Sequence, residues 1–151
     1  MYYIKPEAWL KAPFKVYCDM TEGGGWTVIQ RRTGQDLYKF RRSWMSYKKG
    51  FHNSLSSFWL GNDKLHFLTK QDNYDLLIDI KQNENGVMQQ QTCHNFRIKS
   101  EKEMYELEGV EGMYQAFEIQ CCMKYILLFI FSKGENKVEM MKKIHTNFIF
   151  R

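Results

Sequence analysis

Apolar and polar residues alternate over two short runs near the start of the chain, Phe14–Cys18 ("FKVYC") and Trp26–Arg32 ("WTVIQRR"). A period of two predicts strands. In the second run Trp26, Val28 and Gln30 share one face, with Thr27, Ile29 and Arg31 on the other. Between the runs, Glu22–Gly25 ("EGGG") predicts a turn, because adjacent glycines supply the positive φ angles of a tight reversal. The unit reads as a β-hairpin. A phosphate loop would need a Gly-Lys-Ser/Thr ending and a following helix, and neither is present.

Further along, apolar positions 40, 44, 45 and 47 within Tyr38–Tyr47 follow helical spacing. Asn62 is a candidate cap for a helix running to Lys70, with Leu65, Leu68 and Phe67 turned inward. Tyr74–Ile80 ("YDLLIDI") and Asn95–Lys99 ("NFRIK") predict strands, with a turn at Glu84–Gly86 between them. Met104–Glu108 predicts another strand. The whole pattern is α+β: an antiparallel sheet with short helices between its strands.

Composition narrows the chemistry. The 151 residues suit one domain, and 44% are hydrophobic. The net charge of +5 is thinly spread, with six Lys/Arg against three Glu in residues 115–151. That is no strong sign of a phosphate-binding face. The longest apolar run, Tyr125–Phe131 ("YILLFIF"), falls short of the ~20 residues of a membrane helix. No export signal or membrane anchor is expected in the chain as written.

The cysteines (Cys18, Cys93, Cys121, Cys122) match no zinc spacing, and the histidines (His52, His66, His94, His145) are scattered. Cys93 and His94 resemble a ligand pair, but strand neighbours face opposite ways. Cys18 lacks the accompanying motif of a catalytic thiol. Asp72, Asp75 and Asp79 lack calcium-loop spacing, and a vicinal Cys121–Cys122 bridge would be strained. The basic, aromatic run Arg41–Lys49 could meet nucleic acid. On a helix it is better explained by Trp44 and Tyr47 packing inward under solvated cations. Nothing in this inventory builds an active site, so the expectation is a protein that is not an enzyme, with no metal site.

The opening motif, "YCDMTEGGGWTVIQRR" (Tyr17–Arg32), strongly resembles the fibrinogen C-terminal-like domain. The resemblance continues through "SWMSYKKGF" (Ser43–Phe51), "FWLGNDKLHFLT" (Phe58–Thr69), "YDLLIDI" and "NFRIKSEKEMYEL" (Asn95–Leu107), covering roughly residues 2–112. Within the family it is most like the liver-secreted fibrinogen-like subgroup, with angiopoietin-type members close behind. The resemblance implies a secreted, disulfide-bonded, non-enzymatic module that binds proteins, receptors or acetylated sugars and ends an oligomeric chain. It implies extracellular localisation, although no signal peptide is present.

The resemblance also implies losses. The family partner of Cys18 would be a cysteine upstream of Tyr2. Near Gly112, where "YSGTAGDS" would follow, the chain reads "GMYQAFEIQCCMKYILLFIF". With the missing third subdomain go the calcium loop, the second disulfide and the ligand pocket. The expected organisation is therefore residues 1–114 as the first and central parts of the domain, and 115–151 as a divergent tail of truncated or frame-altered origin. Cys93 stands where the family usually has an aromatic residue. The expected function is a non-enzymatic fragment of a secreted fibrinogen-like receptor-binding protein, with no cofactor, because the family calcium site is not encoded. The rival is a small basic nucleic-acid-associated protein, which gives no reason for the hairpin motif.

Overall fold

The hairpin forms where the alternation places it. In the computed structural model, which describes residues 1–20, 25–32, 40–51, 57–82, 88–108 and 144–150, β2 (Phe14–Asp19) pairs antiparallel with β3 (Trp26–Arg32). Tyr17 lies opposite Val28, and Asp19 opposite Trp26. The expected turn falls outside the described residues except for Gly25. On the far side of β2, β1 (Tyr2–Ile4) adds an edge strand.

The expected helix over 38–47 is shorter and later. It is α1 (Trp44–Lys49), because the Ser43 side chain accepts a hydrogen bond from the Ser46 backbone N–H at 3.3 Å and caps the first turn. Gly50 ends it at φ 90°. After β4 (Phe58–Trp59), which pairs with β3, comes α2 (Asn62–Gln71). Asn62 is not its cap. Gly61 occupies that position at φ 116°, while Asn62 is buried inside the helix, its Oδ1 held by the Trp59 indole at 2.9 Å.

Two strand expectations shift. The strand expected from Tyr74 is β5 (Leu76–Gln82), and its hairpin partner is β6 (Met88–Cys93) rather than the 95–99 segment. The sequence "MQQQTC" carries almost no apolar alternation, so no period of two is visible there. Residues 97–98 (β7) pair instead with 107–108 (β8) in a separate small sheet. Of the strand expected over Met104–Glu108 only Leu107–Glu108 forms: a 3₁₀ helix spans Glu101–Glu103, and Met104 and Tyr105 follow in a turn with φ 56° and 54°. A capping box links Ser100 and Glu103 across it.

The largest difference concerns the end of the chain. Residues 144–150, inside the segment expected to diverge, form β9 (Ile144–Phe150), antiparallel to β3 on one side and β5 on the other. The sheet order is β1-β2-β3-β9-β5-β6, with β4 alongside β3. Loss of the family's later strands predicts an unpaired edge within the sheet. At this position there is none, because the facing edges of β3 and β5 carry N–H and C=O groups that demand partners, and β9 supplies them on both sides. The apolar run Tyr125–Phe131 lies outside the described residues.

The strands bury opposite faces. Phe14, Val16, Ile29, Leu76, Ile78 and Cys93 point into the main core with Tyr47, Trp59, Leu65 and Leu68. The other face carries a smaller cluster, Val28 and Phe58 flanked by Tyr17, Trp26 and Leu77.

Candidate functional site

Two of the motifs quoted from the sequence, Ser43–Phe51 and Phe58–Thr69, meet where α1 packs against α2. Gly50 and Gly61 let the two backbones touch: a Cβ on Gly50 would sit 2.2 Å from the Leu60 carbonyl oxygen, and one on Gly61 2.7 Å from the Lys49 carbonyl. Both also have positive φ, so glycine is required twice over. Trp59 locks the junction by donating its indole N–H to the Tyr47 carbonyl (3.0 Å) and to Asn62 Oδ1 (2.9 Å). Lys64 Nζ donates to the carbonyls of Lys49 (3.3 Å) and Leu60 (3.1 Å). Burial pulls the Lys64 ammonium below the usual lysine range.

A polar clamp closes over this junction from the 101–105 turn. The buried Tyr105 donates its hydroxyl to Asp63 Oδ1 at 2.5 Å, and its ring tilts against Trp44 with centroids 5.7 Å apart. Burial, and then the hydrogen bond to Asp63, raise the Tyr105 pKa far above the ordinary tyrosine value. Lys48 pairs with Glu101 and lies 3.7 Å from Asp63. The Glu101 bond holds the Lys48 ammonium above its usual range, and Lys48 in turn holds the Glu101 carboxyl below its own. His66 Nδ1 faces the Ile98 carbonyl at 2.9 Å, and Ile98 N–H donates to Thr69 Oγ1 at 3.2 Å. These side chains join elements to one another. They are not arranged as a nucleophile with its base.

The residues singled out in the sequence stay dispersed. Cys18 lies half-buried on β2 opposite Thr27, packed against the main core. Cys93 is wholly buried on β6 opposite Leu76, and both are free thiols. Burial raises the Cys93 pKa, which makes it a poor nucleophile and ligand. His94 is exposed and pairs with Asp75 at 3.0 Å, so the neighbouring Cys93 and His94 do diverge across the strand. Cys121, Cys122 and His52 lie outside the described residues. Among the described residues no group of three or more His, Cys, Asp or Glu side chains could hold a metal ion. Likewise, no helix there is long and apolar enough to cross a membrane. In the basic run, Tyr47 is buried, Trp44 is half-buried and Lys48 is engaged by Glu101, while Arg41 and Arg42 are exposed.

The sequence reading missed the Asp63–Lys48–Glu101–Tyr105 clamp. Its one local signal is the Ser100–Glu103 spacing of a capping box; besides the Lys48–Asp63 pair, its contacts join residues 42 and 53 positions apart.

Comparison with known proteins places these features in a wider setting. The family of fibrinogen beta and gamma chains, C-terminal globular domain, matches residues 1–143. Human fibrinogen-like protein 1 is 47% identical over 111 residues, covering 70% of this chain and 34% of that protein. Techylectin-5A from Tachypleus tridentatus is 44% identical over 108 residues, covering 69% of this chain and 37% of the other. The chain thus spans about a third of the length of these curated relatives. Among solved structures, the fibrinogen-like globe domain of human ANGPTL2 superposes with a TM-score of 0.66 at 34% identity, covering 78% of this chain and 55% of that one. Lamprey fibrin D-dimer, complexed with the peptide ligand Gly-His-Arg-Pro-amide, gives 0.63 at 37% identity, over 73% of this chain and 35% of the other.

Proposed function

Because this protein belongs to the family formed by the C-terminal globular domains of the fibrinogen beta and gamma chains, we propose that it is the scaffold portion of a secreted, non-enzymatic, fibrinogen-like binding module. The observation that carries this reading is the family's hairpin and two-helix junction in one connected unit, held by Gly50, Gly61 and Trp59. Its polar contacts serve packing rather than chemistry. Partners of the parent protein are proteins or receptors, met outside the cell, with the module presented on an oligomer.

We infer that residues 1–114 carry the family's first and central parts and that the sequence diverges after them, although the family match runs on to residue 143; the last strand of this segment pairs within the sheet. The 151 residues keep the scaffold and do not themselves form the family's calcium site or ligand pocket. Cys18 is a free thiol or is bridged to another polypeptide. Losing a native bridge from such a domain costs about 2–5 kcal/mol.

Calorimetric titration tests the pocket. Neither calcium nor Gly-His-Arg-Pro-amide, the peptide bound by the lamprey relative, is expected to give saturable heat with this protein. A stoichiometric micromolar site for either would overturn the reading. Thiol alkylation with mass mapping tests Cys18: it is expected to alkylate or to appear in an intermolecular bridge. A bridge to Cys93, Cys121 or Cys122 within one molecule would show the assignment to be wrong.

A further inference from the structure

The acids of this chain avoid α1. Residues 37–62 carry five Lys/Arg and no Asp or Glu. The way α1 packs turns that bias into a surface: Tyr47 is buried, while Arg41, Arg42, Met45 and Lys49 are exposed. Met45 and Lys49, four positions apart, lie on one side of the helix. Six helical residues put about 9 Å between the ends of α1. The arginines and Lys49 therefore stand at opposite ends of a short ridge.

The fold brings two more ammonium groups to the Lys49 end. Lys64, on α2, reaches the Lys49 carbonyl at 3.3 Å, and Lys11, from the loop between β1 and β2, comes to 4.0 Å from Asp63. Burial, and then the charge of Lys11, pull the Lys64 ammonium below its usual range, against the opposing pull of Asp63. Two carboxylates stand among these cations. Asp63 accepts from Tyr105 and lies 3.7 Å from Lys48, and Glu101 is paired with Lys48. Those interactions hold the clamp together and occupy Lys48. The Lys11 side chain is 71% exposed, and a pair so open to water holds it only weakly. Lys11, Lys49 and Arg41 thus present solvated cations from the loop and from both ends of α1.

We propose that this ridge is a binding surface for a sulfated acidic polysaccharide. A single small anion meets one end only. A chain with repeated sulfates and carboxylates can reach Arg41 and Lys49 together, releasing counterions as it does so. Nucleic acid fits less well. Single strands need aromatic faces to stack on, and here the Tyr47 ring is buried and the half-buried Trp44 ring lies against Tyr105. That the protein meets such a polysaccharide rests on the extracellular reading proposed above. Binding by the purified protein does not, so the two can fail separately.

Calorimetric titration of the full-length protein with a heparin dodecasaccharide, over a range of salt, tests this. Three engaged cations give a slope of about −2 for log affinity against log salt, a loss of roughly 20-fold between about 50 and 200 mM. Lys11→Gln/Lys49→Gln should weaken binding about tenfold and bring the slope to about −0.7. It spares the fold, since Lys64 bonds the backbone carbonyl of Lys49 and not its side chain. Lys15→Gln/Lys70→Gln removes the same charge from exposed positions outside the ridge and should bind like the wild type. Desulfated heparin should not bind. The proposal is overturned by a wild type with no saturable binding at about 50 mM salt, or by equal losses in the two double variants. Desulfated heparin, or an oligothymidylate of equal charge, binding as tightly as the sulfated fragment would overturn it too.

Discussion

The hairpin β2–β3 and the strand β9 lie side by side in one sheet, yet they reach it by opposite routes. Six residues separate the ends of β2 and β3 at Asp19 and Trp26, and the turn between them brings the partners together before any other contact forms. β9 begins at Ile144, far beyond the end of β8 at Glu108, and pairs with strands already held by β2, β4 and β6. Local pairing costs little loop-closure entropy, whereas β9 depends on a slot made by other elements. The hairpin is therefore the nucleus-like part of the sheet and β9 the dependent part. Its loss is expected to disturb β5 and β6 more than β2.

The contrast is broken most strongly by removing β9. A variant ended after Lys143 leaves the facing edges of β3 and β5 unpaired. It is expected to lose roughly 4–6 kcal/mol, a handful of net hydrogen bonds, with a lower melting temperature and lower monomer yield. Thermal unfolding and size-exclusion chromatography measure both. A break on the other side comes from Gly50→Ala. Strained φ and the clash with the Leu60 carbonyl should cost about 3 kcal/mol or more, opening the α1–α2 junction while leaving the β9 slot's own backbone intact. Chemical denaturation curves would show it.

A smaller effect is expected from Trp59→Phe, which keeps most of the ring volume but strips the donor from the Tyr47 carbonyl and Asn62 Oδ1. Leaving those buried acceptors unsatisfied costs about 1–3 kcal/mol. The smallest is a pH effect on the 101–105 clamp. Lys48 holds Glu101 below its ordinary pKa of 4.5, and the Ser100 hydrogen bonds do the same for Glu103. Their contributions are complete above about 4.5 and are lost as pH falls through the lowered folded values. The Lys48 contribution runs the other way: complete below 10.5, it is lost as pH rises through the raised folded value. Amide chemical shifts of residues 101–105 should hold steady between those limits and move outside them. Both carboxylates lie at the surface, so the change in overall stability should be slight.

The same contrast explains what the sequence could reveal. β2 and β3 are legible because the alternation of Val16, Val28 and Ile29 and the glycine-rich turn agree locally. Leu65 and Leu68 reveal the buried face of α2. Asn62 looks like a cap because residue type alone does not show that Trp59 claims its oxygen. β6 is hidden because Gln89, Gln90 and Gln91 carry no apolar period. β9 is hidden because its strand character depends on β3 and β5. The clamp at Asp63 is out of reach for the same reason, since Tyr105 and Lys48 meet it only through the fold.

Hydrogen exchange on the full-length protein reads the central relation most directly. With β9 seated between β3 and β5, the amides of residues 144–150 should exchange at least about 100-fold more slowly than an unstructured peptide. In the variant ended after Lys143, protection should fall across residues 76–82 while residues 14–19 keep theirs. Exchange of 144–150 at the unstructured rate in the full-length protein would contradict the placement of β9 in the sheet.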